Sequence, residues 1–335
     1  MDMYCKGGDF MKKIIWSLLA LTLCLTILAG CSFFPEEIKF CEVQFYVDGE
    51  LYTTKTVVIG QSVATPQNPE KENFVFTGWR VDGVISYMFD FSSKIMGDTE
   101  LHACFTPDAV AITNMIATQT LKSTVAIKNK CYNATMGGFI ETENLTSYGS
   151  GVVVDISGGY AYVLTNAHVA RKEAGFSLQE ITVEDPWGKE YEAKIYKNPG
   201  KNDEAISEEY DLALICFKYV PDDDEELLEI TLGDDPELDD FIVAIGNPGG
   251  LQNTVTYGYA LGYQKIQASE GSSITKVTFD ILVHNAPIDH GSSGGALVDA
   301  YGRLVGINFA GYNDGTYGCT IPISKVVEFM NLFVY

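Results

Sequence analysis

The sequence predicts an all-β protein, and three features of composition and pattern support that class. The 335 residues include 32 glycines and 19 tyrosines, a balance that favours strands and turns over helices. Short apolar runs alternate with Gly, Pro, Asn and Asp turns along most of the chain, which is typical of antiparallel barrels or sandwiches rather than βαβ units. Helical heptads are few.

Length and charge limit the organisation and the partners. A chain of 335 residues can bury two sizeable cores. The net charge of -23 excludes nucleic acid and anionic lipid head groups as partners bound through charge. No CxxC pair and no Cys/His cluster has zinc-site spacing. We therefore expect neither a metal nor a cofactor.

Residues 1–30 have the pattern of an export signal. Lys12 and Lys13 precede an uncharged apolar run from Ile14 to Leu28, which is shorter than the ~20 residues of a membrane-spanning helix. The run ends in Leu28-Ala29-Gly30-Cys31, which resembles the lipobox of bacterial lipoproteins. That resemblance implies lipidation of Cys31 and stable anchoring of the exported protein in the bacterial cell membrane. The alternative is an uncleaved membrane anchor.

After a linker at 31–37, residues 38–107 form a small predicted β domain. Val43, Phe45 and Val47 alternate as in a strand, and Asp48-Gly49 makes a turn. The domain resembles the Listeria–Bacteroides repeat, or internalin B-type repeat, in a set of short pieces: Phe45, Asp48-Gly49, Gly78-Trp79, Phe89-Asp90-Phe91 and Thr99-Glu100-Leu101. The resemblance implies a β-grasp-like module that acts as a spacer or binds a cell-surface partner. Cys41 and Cys104 flank this domain and either pair or remain free thiols.

Residues 108–335 read as a second, larger domain. A short helix is predicted over 109–121, followed by a strand at Ser123–Ile127. Further strands are predicted at Gly151–Ile156, Ala161–Leu164, Leu212–Phe217, Phe241–Ile245, Lys276–Val283 and Leu304–Ala310. We expect a final helix, capped by Ser324, with Val326, Met330 and Phe333 on one face.

Three segments in this domain carry residues suited to nucleophilic catalysis. His168 follows a predicted strand, Asp211 begins an apolar strand, and Ser293 lies in the segment Gly291-Ser292-Ser293-Gly294-Gly295. A serine hydroxyl needs an adjacent base, which His168 would supply, and Asp211 would hold the imidazole in the required tautomer. The order His, Asp, Ser matches chymotrypsin-like enzymes and differs from the orders in subtilisins and α/β-hydrolases.

The glycines around Ser293 fit the stabilisation of an oxyanion. Gly291 can take the tight conformation that turns its N–H inward, and the N–H of Ser293 would be the second donor. Gly294 and Gly295 would let the backbone pack closely behind the nucleophile. Ser292 is the competing nucleophile, but counting back from the Gly-Gly pair favours Ser293.

Six segments together resemble the HtrA/Deg-type trypsin-like serine proteases in kind and order: Ser150–Val154, Thr165–Val169, Asp211–Ile215, Ala244–Pro248, Gly291–Leu297 and Leu304–Asn308. The resemblance implies a chymotrypsin-like double β-barrel with the triad in the cleft between the barrels. Two departures matter. The family usually has asparagine where this chain has Ser292, and we expect no PDZ domain and no trypsin-type zymogen switch.

The substrate-binding residues expected in this fold are Ile288, Asn308, Phe309 and Ala310, which would line the S1 pocket. Pro287 occupies the position where trypsins carry an acid, so a small or medium apolar P1 residue is expected. The strand at Ile307–Ala310 would pair with the backbone of a protein or peptide substrate.

The sequence therefore predicts a surface-anchored serine endopeptidase, with a role in protein quality control or processing outside the cytoplasm. One alternative is a binding or adhesion protein with an inert protease fold. A structural protein based on the repeat alone is the other, but it leaves the larger domain unexplained.

Overall fold

A computed structural model describes residues 37–82, 86–135, 140–197, 203–221, 225–247, 253–265, 277–312 and 316–333. The predicted signal segment and Cys31 lie outside these residues. The described chain divides into two compact units. The first contains the chain up to Pro69 together with Phe76–Cys104, and the second contains Glu70–Val75 and the chain from Phe105 onward.

The N-terminal module is a five-stranded mixed sheet. Its strands are β1 (Phe40–Val47), β2 (Glu50–Val58), β3 (Phe74–Val81), β4 (Tyr87–Met88) and β5 (Thr99–Pro107). They lie in the order β2-β1-β5-β3-β4, with β1 and β5 parallel, which confirms the β-grasp-like arrangement. The β1–β2 turn has positive φ at both Asp48 and Gly49, as the tight turn predicted from this pair requires.

Alternation along β1 builds the core of the module. Val43 and Phe45 are fully buried, and Phe45 meets the edge of Trp79 at a ring-centroid distance of 4.9 Å. Cys41 and Cys104 are both free thiols. Strands β1 and β5 are paired in parallel from Val43 opposite Thr99 to Tyr46 opposite His102, near the C-terminal end of β1. Cys104 therefore lies beyond the opposite end of β1 from Cys41, and the disulfide that the sequence left open is not formed.

The second unit begins with α1 (Ala109–Thr118), whose first turn is capped by Asp108, and a short 3-10 helix at Thr120–Ser123. A first barrel follows, formed by β6 (Thr124–Thr135), β7 (Ile140–Ser157), β8 (Tyr160–Thr165), β9 (Leu178–Glu184), β10 (Glu190–Ile195) and β12 (Leu212–Lys218). Pairing of β10 with β12 closes it, and the two-residue β11 (Ile206–Ser207) adds to β12. The single-turn helix α2 (Ala167–Ala170) follows β8.

A second closed barrel follows in the same unit. Its strands are β13 (Phe241–Gly246), β14 (Thr254–Lys265), β15 (Asp280–His284), β16 (Ala296–Asp299), β17 (Leu304–Tyr312) and β18 (Tyr317–Pro322), in the order β13-β14-β15-β18-β17-β16. Two closed six-stranded barrels confirm the chymotrypsin-like double β-barrel predicted from the sequence.

The cores explain the apolar runs seen in the sequence. Alternate residues of β12 belong to two different hydrophobic clusters: Leu212, Leu214 and Cys216 to one, and Ala213, Ile215 and Phe217 to the other. Both faces of this strand are therefore buried, which is why its apolar run is uninterrupted.

The final helix differs in detail from its prediction. It runs as α3 (Ile323–Met330), Pro322 precedes it, and the carboxylate of Asp235 accepts from the backbone N–H of Ser324 at 3.0 Å. Ser324 therefore lies inside the first turn and does not cap it. Val326 is fully buried as expected, but the helix ends before Phe333. In the described part of the chain, no helix is long and apolar enough to cross a membrane.

Candidate active site

His168 and Asp211 are brought together by the ends of neighbouring strands in the first barrel. His168 lies in α2 directly after β8, and Asp211 directly precedes β12, which pairs with β8. The imidazole Nδ1 lies 2.8 Å from Asp211 Oδ2, and the backbone N–H of His168 donates to Oδ1 at 3.1 Å. Asp211 is 2 % exposed. Because Nδ1 donates to the carboxylate, Nε2 is left free to accept a proton.

Asp211 has an unusual backbone conformation. Its φ is +50°, a region that non-glycine residues rarely occupy and that costs of order 1–3 kcal/mol. Its carbonyl accepts from the side-chain amide of Asn166 at 2.9 Å and from the backbone N–H of Ala167 at 3.1 Å. These two donors hold the carboxylate toward His168. The sequence analysis did not single out Asn166, although its place two residues before His168 is a usable signal.

Residues 289–295, here called the nucleophile turn, are two overlapping tight turns. Ser292 N–H donates to Asp289 O, and Gly295 N–H donates to Ser292 O, both at 2.9 Å. Gly291 has φ of +98°, which glycine adopts readily. Within the described residues, the backbone N–H groups of Gly291 and Ser293 donate to no protein acceptor. These are the two donors that the sequence analysis expected to bind an oxyanion.

The two adjacent serines have different surroundings. Ser292 is 5 % exposed, and its hydroxyl accepts from the backbone N–H of Asp289 at 3.3 Å inside the turn. The Ser293 hydroxyl donates to the backbone carbonyl of Phe309 at 3.3 Å. No hydrogen bond joins His168 and Ser293 in the described residues. The catalytic hydrogen bond between nucleophile and base is often long or absent in a substrate-free site.

Close approach across the two barrels brings the nucleophile turn beside α2. A Cβ placed on Gly149 would lie 2.6 Å from Val169, the residue after His168, and 3.2 Å from the carbonyl of Ser293. The neighbouring N–H of Ser150 donates to that same carbonyl at 2.8 Å. Strand β7 therefore contacts both α2, which carries His168, and the backbone of Ser293.

Ser150 also fixes the nucleophile turn through its side chain. Its hydroxyl donates to the carbonyl of Gly291 at 2.7 Å and accepts from the backbone N–H of Asn247 at 2.8 Å. Ser150 is fully buried. Ser150 and Asn247 lie in two of the six segments that carry the family resemblance, but the sequence predicted no role for either side chain.

Gly294 and Gly295 lie where no side chain fits. A Cβ on Gly294 would lie 2.1 Å from the carbonyl of Ser150 and 2.2 Å from the hydroxyl of Thr165. A Cβ on Gly295 would lie 2.2 Å from the carbonyl of Ile245. The two glycines therefore let the turn pack directly on both barrels.

A cavity of about 270 Å³ lies beside the nucleophile turn. Of the four expected substrate-binding residues, Ile288 and Asn308 line it, whereas Phe309 and Ala310 do not. Phe309 packs into the hydrophobic core at 2 % exposure. Pro287, which the sequence placed at the position that sets the P1 preference, also lines the cavity, and the remaining lining residues were not predicted: Ala244, Ile245, Gly246, Thr254, Thr256, Asp289 and Ser292. Among the residues that the structure describes, no group of three or more His, Cys, Asp or Glu side chains could hold a metal ion.

Two family matches divide the chain as its two units do. Residues 149–307 match the trypsin-like peptidase domain, and residues 42–104 match the Listeria–Bacteroides repeat domain.

Curated relatives and solved structures extend the first match. The chain is 36% identical over 169 residues to a probable periplasmic serine protease do/HhoA-like of Haemophilus influenzae, covering 50% of this chain and 31% of the relative. It is 36% identical over 166 residues to the periplasmic pH-dependent serine endoprotease DegQ of Escherichia coli, covering 48% and 31%. The chain thus spans about a third of these relatives. A solved HtrA-type protease variant with a decapeptide superposes with a TM-score of 0.51 at 27% identity, covering 66% of this chain and 65% of that one.

Proposed function

We propose that the protein is a serine endopeptidase in which Ser293 is the nucleophile, His168 the general base and Asp211 the residue that orients the base. The observation that carries the proposal is the pairing of partly exposed His168 with buried Asp211, with Nδ1 at 2.8 Å from the carboxylate, in a fold that presents Ser293 from a glycine-bounded turn. The match of residues 149–307 to the trypsin-like peptidase domain supports the same chemistry.

The proposed reaction is acyl transfer in two steps. Rotation of the Ser293 hydroxyl away from the Phe309 carbonyl would bring it to Nε2 of His168, which takes the proton as the oxygen attacks the peptide carbonyl. His168 then gives that proton to the leaving amine, and a water molecule repeats the sequence on the acyl-enzyme. The imidazolium formed at each attack is stabilised by the carboxylate of Asp211.

The oxyanion that forms on the substrate carbonyl needs preorganised donors. The N–H groups of Gly291 and Ser293 are proposed to supply them, since neither donates within the described chain. The bond from Ser150 to the Gly291 carbonyl holds the turn between these donors in place. No metal ion or cofactor enters this mechanism.

The substrate is proposed to be a protein or peptide in extended conformation. Strand β16 pairs with β17 only as far as Ile307, so among the described strands the β16-facing edge of β17 beyond Asn308 is open to a substrate strand. We propose a small or medium apolar P1 residue, with the side chains of Ile288 and Asn308 around it and the backbone of Phe309 and Ala310 on the open edge of β17. The buried apolar side chain of Ile288 in the cavity wall supports this preference.

The location and the role of the repeat are parts of the same proposal. The relatives from Haemophilus influenzae and Escherichia coli are described as periplasmic, and the apolar run before Cys31 supports export with a lipid anchor in the bacterial membrane. The repeat would then hold the protease at the surface or bind a cell-surface partner. A role in protein quality control or processing outside the cytoplasm fits this arrangement.

Covalent labelling tests the assignment of the nucleophile. A fluorophosphonate probe should modify the full-length protein, and peptide mapping should find the label on Ser293. The variant S293A should not be labelled, whereas S292N should keep most of the labelling rate because asparagine is the usual residue at this position in the HtrA/Deg-type proteases that the sequence resembles. Label on Ser292 would contradict the assignment. A folded protein with no label would favour the alternative, an inert protease-fold binding or adhesion protein.

A further inference from the structure

The second barrel contains a buried histidine outside the proposed triad. His284 ends β15 with no exposed surface, and the residues opposite it in the neighbouring strands are Ala260 and Gly318. Gly318 leaves room for the ring, since a Cβ there would lie 2.0 Å from the imidazole. Burial lowers the pKa of His284 from 6.5 to about 4, against hydrogen bonding by Asn308 and Ala286. The imidazole is therefore neutral near pH 7.

The hydrogen bonds of His284 have one consistent direction. The hydroxyl of Thr320 donates to Asn308 Oδ1 at 2.8 Å, and it lies 3.1 Å from His284 Nε2. A hydroxyl has one hydrogen, so toward the imidazole Thr320 accepts, and Nε2 must carry the proton. Nδ1 is then an acceptor, and within the described residues no group meets it with hydrogen-bond geometry, although the backbone of Ala286 lies close enough to the ring to favour its protonated form.

Asn308, at the end of this relay, holds the nucleophile turn. Its side-chain amide donates to the carbonyl of Ala296 at 3.0 Å. Its backbone N–H donates to Gly295 O at 2.9 Å, and its carbonyl accepts from Gly294 N–H at 2.8 Å. Asn308 therefore contacts three consecutive residues that follow Ser293.

The orientation of the Asn308 amide determines whether this contact is attractive. If the amide were turned over, its oxygen would face the carbonyl of Ala296 and its NH₂ group would face Thr320. The hydroxyl of Thr320 opposes the turned-over amide only while its own hydrogen points at Asn308. The donated N–H of His284 enforces that direction, because two donors cannot face each other.

We propose that His284 is a positioning residue for the nucleophile turn, acting through Thr320 and Asn308 on Gly294–Ala296. It touches no substrate. The relay rests on the proposed function, because what it positions is the turn that carries Ser293 and the two oxyanion donors.

Filling the core of the second barrel would not by itself require a histidine at position 284. The cluster inside this barrel is apolar and includes Ile242, Ala260 and Leu282, so a leucine at 284 would fill the same place without a polar group to desolvate. A buried imidazole is costly unless its N–H finds an acceptor. The chain from His284 to Asn308 supplies that acceptor and joins it to the site.

The test compares full-length variants by the rate of fluorophosphonate labelling and by kcat and KM on one peptide substrate. H284L removes the donor and should lower the labelling rate and kcat about 10-fold, which corresponds to about 1.4 kcal/mol, with KM within about 2-fold. T320V should lower the labelling rate and kcat by the same factor. The double variant H284L/T320V should be no slower than either single variant, because all three break the same hydrogen-bond relay. H284Q, whose amide can reach the position of Nε2 and donate to Thr320, should recover labelling to within about 3-fold of the unmodified protein.

A matched control and a spectroscopic readout separate positioning from packing. T120V removes another buried threonine hydroxyl, one that donates to the sulfur of Met115 at 3.4 Å, and should leave the labelling rate unchanged. Nitrogen NMR of the unmodified protein should show His284 as the neutral Nε2–H tautomer near pH 7. This last measurement remains decisive even if H284L fails to fold.

The outcomes distinguish this inference from the function it rests on. An unmodified protein that takes no label overturns both. If the unmodified protein is labelled on Ser293 but H284L is labelled as fast, or H284Q is as slow as H284L, the relay is overturned and the protease assignment stands. An Nδ1–H tautomer at His284 also overturns the relay alone.

Discussion

Replacing Gly294 by alanine should separate backbone strain from steric exclusion at the nucleophile turn. Gly294 has φ of +84°, and Gly159, in the exposed β7–β8 turn, has φ of +80°. An alanine at either position would incur the left-handed penalty of about 1–2 kcal/mol. A Cβ on Gly159 meets nothing within 4 Å, whereas one on Gly294 would lie 2.1 Å from the backbone carbonyl of Ser150. That carbonyl cannot rotate aside as a flexible side chain would.

The magnitudes follow from this difference. G159A should lower the free energy of unfolding by about 1–2 kcal/mol. G294A should lower it by about 2–5 kcal/mol, since overpacking adds about 1–3 kcal/mol. The shift of the turn should also misplace Ser293, and a displacement near 1 Å can cost about 10²-fold in rate.

The assay is urea unfolding of both variants, with fluorophosphonate labelling of the folded fraction. We expect G159A to be labelled at the rate of the unmodified protein and G294A at least about 100-fold more slowly. If the two variants lost equal stability and kept equal labelling rates, the close packing of Gly294 on Ser150 would be refuted.

The remaining predictions address the base, the anchor of the turn, acid stability and export. D211N should lower kcat about 10⁴-fold with the fold intact, because the amide favours the wrong tautomer of the imidazole; stopped-flow or steady-state kinetics would measure it, and a loss below 10-fold would contradict the role. S150A should lower kcat about 10-fold, because it removes the hydrogen bond to the Gly291 carbonyl. An unchanged kcat would show that residues 289–295 keep their conformation without this bond. The pKa of His284 is lowered to about 4 in the folded protein, so between pH 6.5 and about 4 the unfolded chain binds a proton more readily than the folded one. As far as His284 affects it, the free energy of unfolding is therefore highest above pH 6.5 and falls by about 1.4 kcal/mol per pH unit as the pH drops. Among the residues that the structure describes, its neighbours Ala260, Ala286, Asn308, Gly318 and Thr320 are all uncharged. Urea unfolding of H284Q should therefore show a shallower pH dependence over this range, and parallel curves for the two proteins would contradict the prediction. C31A should lose metabolic lipid labelling, and retained labelling would contradict anchoring through Cys31.

The double β-barrel could be predicted from the sequence because its signals are local. Strand periodicity and turn residues appear within short segments and are determined by backbone geometry that a few residues control. The order of His168, Asp211 and Ser293 along the chain added the choice among protease folds. The positive φ of Gly291 and the turn at Asp48-Gly49 belong to the same class of signal. One local error was the final helix, where a distant carboxylate accepts from the backbone N–H of Ser324 and Ser324 does not cap the first turn.

Contacts between residues far apart in the sequence were decided by the tertiary structure. Ser150 meets Gly291 across 141 positions, and Asn247 meets Ser150 across 97. Nothing in the neighbourhood of either residue indicates its partner, because the contact exists only once two barrels have closed and packed. The lining of the cavity was missed for the same reason: Thr254 and Thr256 enter it from β14, a strand with no motif.

His284 most clearly separates what the sequence predicts from what only the tertiary structure determines. The fold and the residue types of the proposed triad could be predicted from the sequence alone, whereas no partner for this histidine could. Closure of the second barrel places its imidazole 3.1 Å from Thr320 and removes it from water. Those two facts set its protonation and its tautomer, and with them the direction of every hydrogen bond from His284 to the turn behind Ser293. Burial and the direction of hydrogen bonds are properties of packed strands, so only the tertiary structure could determine them.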